Sequence, residues 1–359
     1  MYEHQKTFSG NLHALRGLAA TSVVFFHAKN MSPAIDVGYL SIVQQFSSGV
    51  TLFFILSGFS LSLSNYKKIG QADWLHGYAI RRVARIFPIW YFFVLFTFFF
   101  HWWKYGLVYP FSELIYHLIP FYVFIPGGHT SFVWAGWTIG VELLFYLFFP
   151  YLLIFAKTRI LAWSAILAGA VLLSFNLQSF APEGLDESFY YMTFSTQAFV
   201  FVLGCLLFFI SRKIKKTNFQ RLYTYLIGGV SGLSFAWWGA AVLNPADFSM
   251  HSYGLLVQAL ALGCLTAFLY LSEGHKLSLY NPVTKFLGDK SYTIYLAHPI
   301  VVSLTKRFYP RINEIFPINE MAYLAYTSLV LALTFMVAAL ISTYIEEPLY
   351  IYGRRLAKS

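Results

Sequence analysis

The sequence predicts an all-α fold, a polytopic integral membrane protein of about ten transmembrane helices with both termini cytoplasmic. Three observations lead there. Hydrophobic residues make up 58% of the chain and charged residues only 11%, against roughly a quarter charged in soluble domains. Apolar stretches of about 20 residues, the length that crosses a hydrocarbon core roughly 30 Å thick, recur from end to end. Lys and Arg gather between alternate stretches. These features exclude a water-soluble fold. No loop is long enough to hold an appended soluble domain, so residues 8–350 read as a single membrane domain and 351–359 as a short basic cytoplasmic tail.

The first span, near residues 11–29, follows His4 and Lys6, contains His13 and Arg16 and lacks a small-residue cleavage site, so it reads as a retained helix and not a signal peptide. Arg16 and His27 are eleven positions apart, about 20° past three full helical turns, and share one face about 16 Å apart along the axis. A charged side chain inside a span costs a few kcal/mol and normally faces a cavity or a partner. This face either lines a channel or holds a snorkelling Arg and an interfacial His; the spacing serves both. The second span, near 46–64, has Ser57 and Gly58 at its centre, where small residues let helices approach closely and where Ser57 either glues the packing or bonds a ligand. Arg81, Arg82 and Arg85 then lead into the third span, near 85–103. Their planar forks suit bidentate phosphate contacts, and cytoplasmic anchoring explains the same charge.

Residues 113–125 are apolar but too short to span, and Pro120 and Pro126 bracket their end, which predicts an interfacial or re-entrant piece. His101, His117 and His129 have no compact metal spacing, so no metal is expected. The fourth span, near 136–156, places Glu142 about 9 Å inside its outer edge with no Lys or Arg within a turn. Because the chain returns inward here, Glu142 falls at a depth similar to His27. A carboxylate beside an imidazole fixes its tautomer and raises its basicity; the other reading is a protonated Glu bonded to a neighbouring helix. Spans five to eight, near 159–177, 193–211, 222–242 and 252–272, hold Cys205 and Cys264, which read as small apolar packers. The ninth, near 286–305, places Tyr292, Tyr295 and His298 on one face at three-residue steps, before Pro299. The tenth, near 321–345, runs into TyrIleGluGluProLeu at 344–349.

With the N-terminus inside, most of the 25 Lys and Arg fall on cytoplasmic segments and five on the other face. An acidic loop, Glu183, Asp186 and Glu187, falls outside. The net charge of +10 is thus an orientation signal that requires no nucleic acid.

Six segments occur in an order that resembles the membrane acyltransferase-3 family of bacterial O-acyltransferases. They are Arg16-x10-His27; PhePheIleLeuSerGlyPhe at 53–59; Arg82-x-x-Arg85; TrpThrIleGlyValGlu at 137–142 with the following PheTyrLeuPhePhePro; SerTyrThrIleTyrLeuAlaHisPro at 291–299; and TyrIleGluGluPro. The resemblance runs from Leu12 to Pro348. It implies a multi-pass protein of the bacterial inner membrane with ten helices, and cytoplasmic acyl-CoA, most commonly acetyl-CoA, as donor substrate without a permanently bound cofactor. The implied acceptor is a hydroxyl of a cell-surface polysaccharide or lipid-linked glycan. It also implies His27 as catalytic residue with Arg16 and Glu142, and a donor-binding set of Arg82 and Arg85 with Arg81, which Ser57, Tyr295 and His298 complete. Gly140 stands where many members carry Ser, and Leu143 and Leu144 where a second Glu or Gln is common. The rival class, a transporter for a lipid-linked sugar or small solute, would also bury Arg, Glu and His, but the chain shows no internal repeat between its halves.

Overall fold

A computed structural model describes residues 8–31, 40–125, 128–179, 187–243, 252–273, 277–316 and 318–356. Lys6, Lys276, Lys358, Glu183 and Asp186, used above for sidedness, and Pro126 lie outside the described residues. Among the described residues the chain is helical throughout, with no strand. The long helices are α1 (Gly10–Met31), α2 (Gly49–Asn65) and α3 (Trp74–Tyr105), then after the short α4 (Phe111–Leu118), α5 (Trp137–Ala156), α6 (Ile160–Ser179), α7 (Phe194–Ile214), α8 (Gln220–Leu243) and α9 (Ser252–Leu271). The chain closes with α10 (Pro282–Asp289), α11 (Ser291–Thr305), α12 (Asn319–Ile341) and α13 (Glu347–Leu356), the last two joined by a π-helical turn, Ser342–Glu346.

Among the described residues, seven helical stretches are long and apolar enough to cross a membrane. The helices α1, α8 and α11 are not among them. For α11 the reason is length, because its 15 residues rise only about 22 Å. For α1 it is Asn11, His13, Arg16 and His27, which lower the mean hydropathy. That polarity suits the position of α1, which packs against α2, α9, α10, α11 and α12 and so meets protein on most sides.

Two expected elements change shape. The third helix begins eleven residues before the expected start, so Arg81, Arg82 and Arg85 stand on its surface as helical residues. The expected ninth span is two helices, α10 and α11, that meet at Lys290, whose φ/ψ of −101°/3° is not helical. Asn281 opens α10 with a capping box that includes Thr284. Residues 113–125 form α4 and a 3₁₀ turn, Pro120–Phe124, neither long enough to span. The basic residues expected as a tail continue α13 to Leu356.

Helices α2 and α7 touch backbone to backbone. A Cβ on Gly58 would lie 2.1 Å from the Phe201 carbonyl oxygen, and one on Gly204 would lie 2.2 Å from that of Ile55. Cys205 is buried in this seam and its thiol faces the Gly58 carbonyl at 3.4 Å. This seam fixes the height and rotation of α2, and therefore of Ser57. At the start of α3, Gly353 of α13 lies against Ala84, with no room for a side chain between them.

Candidate active site

The polar residues of α1, α2, α3 and α5 converge on one cavity of about 640 Å³. Its walls include Arg16, Ser57, Arg82, Arg85, Glu142 and Tyr146, closed on the far side by Tyr292 and Tyr295. Two further recesses open from it toward the start of α1. One is lined by His13, Ser60 and Ser64, the other by Asp289, Glu346 and Tyr350, and both share Arg16 and Arg85. Arg16 and Arg85 form no ion pair within 4.0 Å and no hydrogen bond among the described residues. The Arg82 guanidinium stacks on the Tyr146 ring, 5.5 Å from its centroid, with its buried Nε unpaired. Three guanidinium groups facing one carboxylate leave a net positive cavity with donors to spare, a setting for a polyanion. Arg81 does not line it; it is half-buried on the side where Tyr350 and Arg354 lie.

Glu142 is held by two hydroxyls on one carboxylate oxygen. Ser57 Oγ donates to it at 2.6 Å, and the Tyr146 hydroxyl, one turn further along α5, donates in a short contact. The expected contact between Glu142 and His27 is absent. The reason is depth: the Trp134 ring lies 5.3 Å from the His27 ring, so the chain is level with His27 before α5 begins. Eight residues later, Glu142 has descended to the arginines.

His27 instead meets His298. Nδ1 of His27 and Nε2 of His298 are 2.7 Å apart, and the rings lie edge to edge with centroids 4.9 Å apart and planes at 19°. His298 is fully buried, and it lines none of the arginine cavities, so its expected place in the donor-binding set is corrected to partner of His27. Tyr295 does line the arginine cavity. Its hydroxyl takes a 3.0 Å hydrogen bond from Thr138, and its ring lies 5.8 Å from that of His298. Tyr292 ties α11 to α3 by donating to the Ile86 carbonyl at 3.2 Å.

Beyond the histidine pair is a second cavity, of about 1010 Å³, lined by Tyr105, Tyr109, Phe132, Trp134, Pro299 and Lys306 among others. Trp134 touches His27 on one side and this cavity on the other. Its wall is shaped by His117, which is buried and stacked on Tyr122, with ring centroids 4.8 Å apart. His117 Nδ1 faces the Glu113 carbonyl at 2.7 Å, and its Nε2 accepts the Phe132 N–H at 3.2 Å. The sequence reading assigned no role to Tyr146, Thr138 or Trp134. Tyr146 was findable, since a hydroxyl four residues after a half-buried helical carboxylate shares its face.

An all-helical bundle with a basic polar cavity, an aromatic cavity and a histidine pair linked to both through Tyr295 and Trp134 is the architecture of a membrane-embedded enzyme. The chain belongs to the acyltransferase domain family, whose model matches residues 9–345. It is similar to the peptidoglycan O-acetyltransferase OatA of Listeria monocytogenes, 26% identical over 391 aligned residues that cover 96% of this chain and 56% of that protein. It is also similar to nodulation protein 10 of Rhizobium leguminosarum bv. viciae, 25% identical over 327 residues that cover 84% of each. The chain thus spans little more than half the length of the first relative. No solved structure matches it.

Proposed function

We propose that this protein transfers an acyl group, acetyl in the first instance, from acyl-CoA to a hydroxyl of a cell-surface polysaccharide or lipid-linked glycan. In this reading all ten hydrophobic segments cross the inner membrane of a bacterium. Both ends of the chain, and the arginine cavity, then lie on the cytoplasmic side. The observation that carries the proposal is the His27–His298 pair, linked through Tyr295 to a cavity walled by Arg16, Arg82 and Arg85 and through Trp134 to a cavity walled by aromatic rings.

The phosphates of the coenzyme dock on Arg82 and Arg85, whose forks match them, and the pantetheine arm runs past Arg16 and Ser57 toward His27. Arg81, at the mouth, steers the anion inward. Glu142 keeps the arginine cluster from excessive mutual repulsion and holds Ser57 and Tyr146 in place. The aromatic cavity receives the acceptor, whose sugar faces pack on its rings. The acceptor oxygen attacks the thioester carbonyl carbon while its proton passes to His27, the C–S bond breaks, and the thiolate leaves as the thiol by taking that proton. An acyl-imidazole on His27 is the alternative sequence of the same bond changes, with the acyl group resting on the ring between two half-reactions. The name of one relative, a peptidoglycan O-acetyltransferase, supports an O-acetyl product on a glycan.

The test is consumption of labelled acetyl-CoA by membranes that contain the folded protein, together with mass spectrometry of surface glycans for an alkali-labile ester. Wild type is expected to form the ester, and His27→Ala to lose about a hundredfold or more of the rate. Retained transfer in His27→Ala would sink the scheme.

A further inference from the structure

We propose that His298 is a positioning residue that fixes the tautomer of His27, accepting its Nδ1–H and leaving its Nε2 as the nitrogen with a free lone pair. The proposal rests on the acyl-transfer reading of the site, in which His27 needs one bare nitrogen aimed at the reacting groups.

The 2.7 Å separation is that of a full hydrogen bond, so one ring donates and the other accepts. The sequence around His298 decides which. Pro299 has no N–H, so the carbonyl of Tyr295, four residues before it, loses its helical donor. The backbone carbonyls of Tyr295 and Ile294, on the same helix, lie beside the His298 ring, whose Nδ1 completes no hydrogen bond in ordinary geometry. A carbonyl oxygen can only accept. A hydrogen on Nδ1 of His298 therefore points at an acceptor in want of a donor, whereas a lone pair there would face two oxygens in a fully buried site. With its hydrogen on Nδ1, His298 is left with a bare Nε2, which must accept from His27. His27 then holds its own hydrogen on Nδ1, and Nε2 is free.

Packing keeps the pair in register. His27 lies edge to edge with His298 on one side and against Trp134 on the other, with ring centroids at 4.9 and 5.3 Å. No carboxylate forms an ion pair with either ring among the described residues, so a second neutral imidazole takes the orienting role that a carboxylate more often fills. The proton balance is simple. Nε2 of His27 takes the hydroxyl proton, the Nδ1–H stays donated to His298, and the Nε2 proton leaves with the thiolate sulfur.

The test uses the full chain in bilayers with ¹⁵N-labelled histidine. Solid-state NMR of the wild type is expected to show Nδ1 of His27 protonated and Nε2 bare, and His298→Phe is expected to lose that single state. The opposite tautomer in the wild type would overturn the proposal, whether or not the chain turns over acyl-CoA. Kinetics give the second readout. His298→Gln, which keeps an acceptor, is expected to hold kcat within about tenfold of wild type, whereas His298→Phe loses about a hundredfold, and both keep the KM for acetyl-CoA. Equal losses in two folded variants, or a rise in KM with kcat unchanged, would overturn it. The expected tautomer in a wild type that never consumes acetyl-CoA would uphold the pairing and refute the acyl-transfer reading alone.

Discussion

Glu142 is a half-buried carboxylate whose two local partners are hydroxyls, Ser57 on a neighbouring helix and Tyr146 on its own. Removing either donor leaves a charged oxygen short of a hydrogen bond in a site that water reaches poorly, at a cost of about 1–3 kcal/mol. Tyr146→Phe and Ser57→Ala are each expected to lower the thermal unfolding midpoint in detergent, and the double variant to lose more than either alone. An unchanged midpoint in both would mean that the arginines, not the hydroxyls, hold the carboxylate. Tyr146→Phe also leaves the ring under Arg82, so the donor site keeps its cation–π contact. Arg82→Ala, by contrast, removes a charge-assisted phosphate contact and is expected to raise the KM for acetyl-CoA about tenfold to a hundredfold, with a smaller effect on kcat. A fall in kcat with KM unchanged would move Arg82 out of the donor site. The residues themselves were legible in the sequence, because charge inside a span is costly and Arg16, His27 and Glu142 stand out against an apolar background. Their pairing was not. It depends on how deep the chain re-enters before α5, and nothing between Gly128 and Gly136 encodes a depth that can be read without the fold.

The seam between α2 and α7 is an element-scale device, since neither Gly58 nor Gly204 can carry a Cβ without moving a whole helix. Gly204→Ala is expected to destabilise by about 1–3 kcal/mol and, by shifting α2, to disturb Ser57 and slow transfer. Full activity at full stability would show that α2 tolerates the displacement. The loop beside the aromatic cavity depends on α4 in another way. Burial pushes the His117 imidazole below its ordinary range, because a charged ring would lose its hydration and the lone pair that takes the Phe132 N–H. The folded loop binds fewer protons than the unfolded one. Its stability is therefore complete above about pH 6.5 and declines as pH falls below that value. Protection of the Phe132 amide, taken as its intrinsic exchange rate over the observed rate at each pH, is expected to fall on acidification through that window, and to become flat with pH in His117→Phe. Among the described residues, seven of the ten expected segments were legible from their length and composition. The break at Lys290 was not, because the chain there keeps an apolar pattern on both sides and the interruption is set by Tyr292, Thr293 and Lys290 bonding to α3 and to the end of the chain.

At the scale of the whole molecule, the fold class followed from composition, while the arrangement of helices did not, because almost every segment is apolar all round and periodicity then says little about which face meets which neighbour. The first helix is the exception, since its polar residues mark it as a helix that needs protein around it. Its neighbours come from both ends of the chain: α2 follows at once, but α9, α10, α11 and α12 lie after residue 251. This has a consequence for how the protein is made. The helix that bears His27 emerges from the ribosome well before most of the surface that shelters its polar side, so until those later helices arrive it is a poor guest in lipid. A chain ended after Leu243 is expected to lose α1 from the bilayer or to be degraded, as protease protection of an N-terminal tag would show, while α2 and α7 still insert. Stable retention of α1 in that fragment would mean that its own apolar residues suffice. The arrival of α11 delivers His298 to His27, so maturation of the reactive pair waits for the synthesis of α11, and a chain stopped before that helix carries no assembled histidine pair.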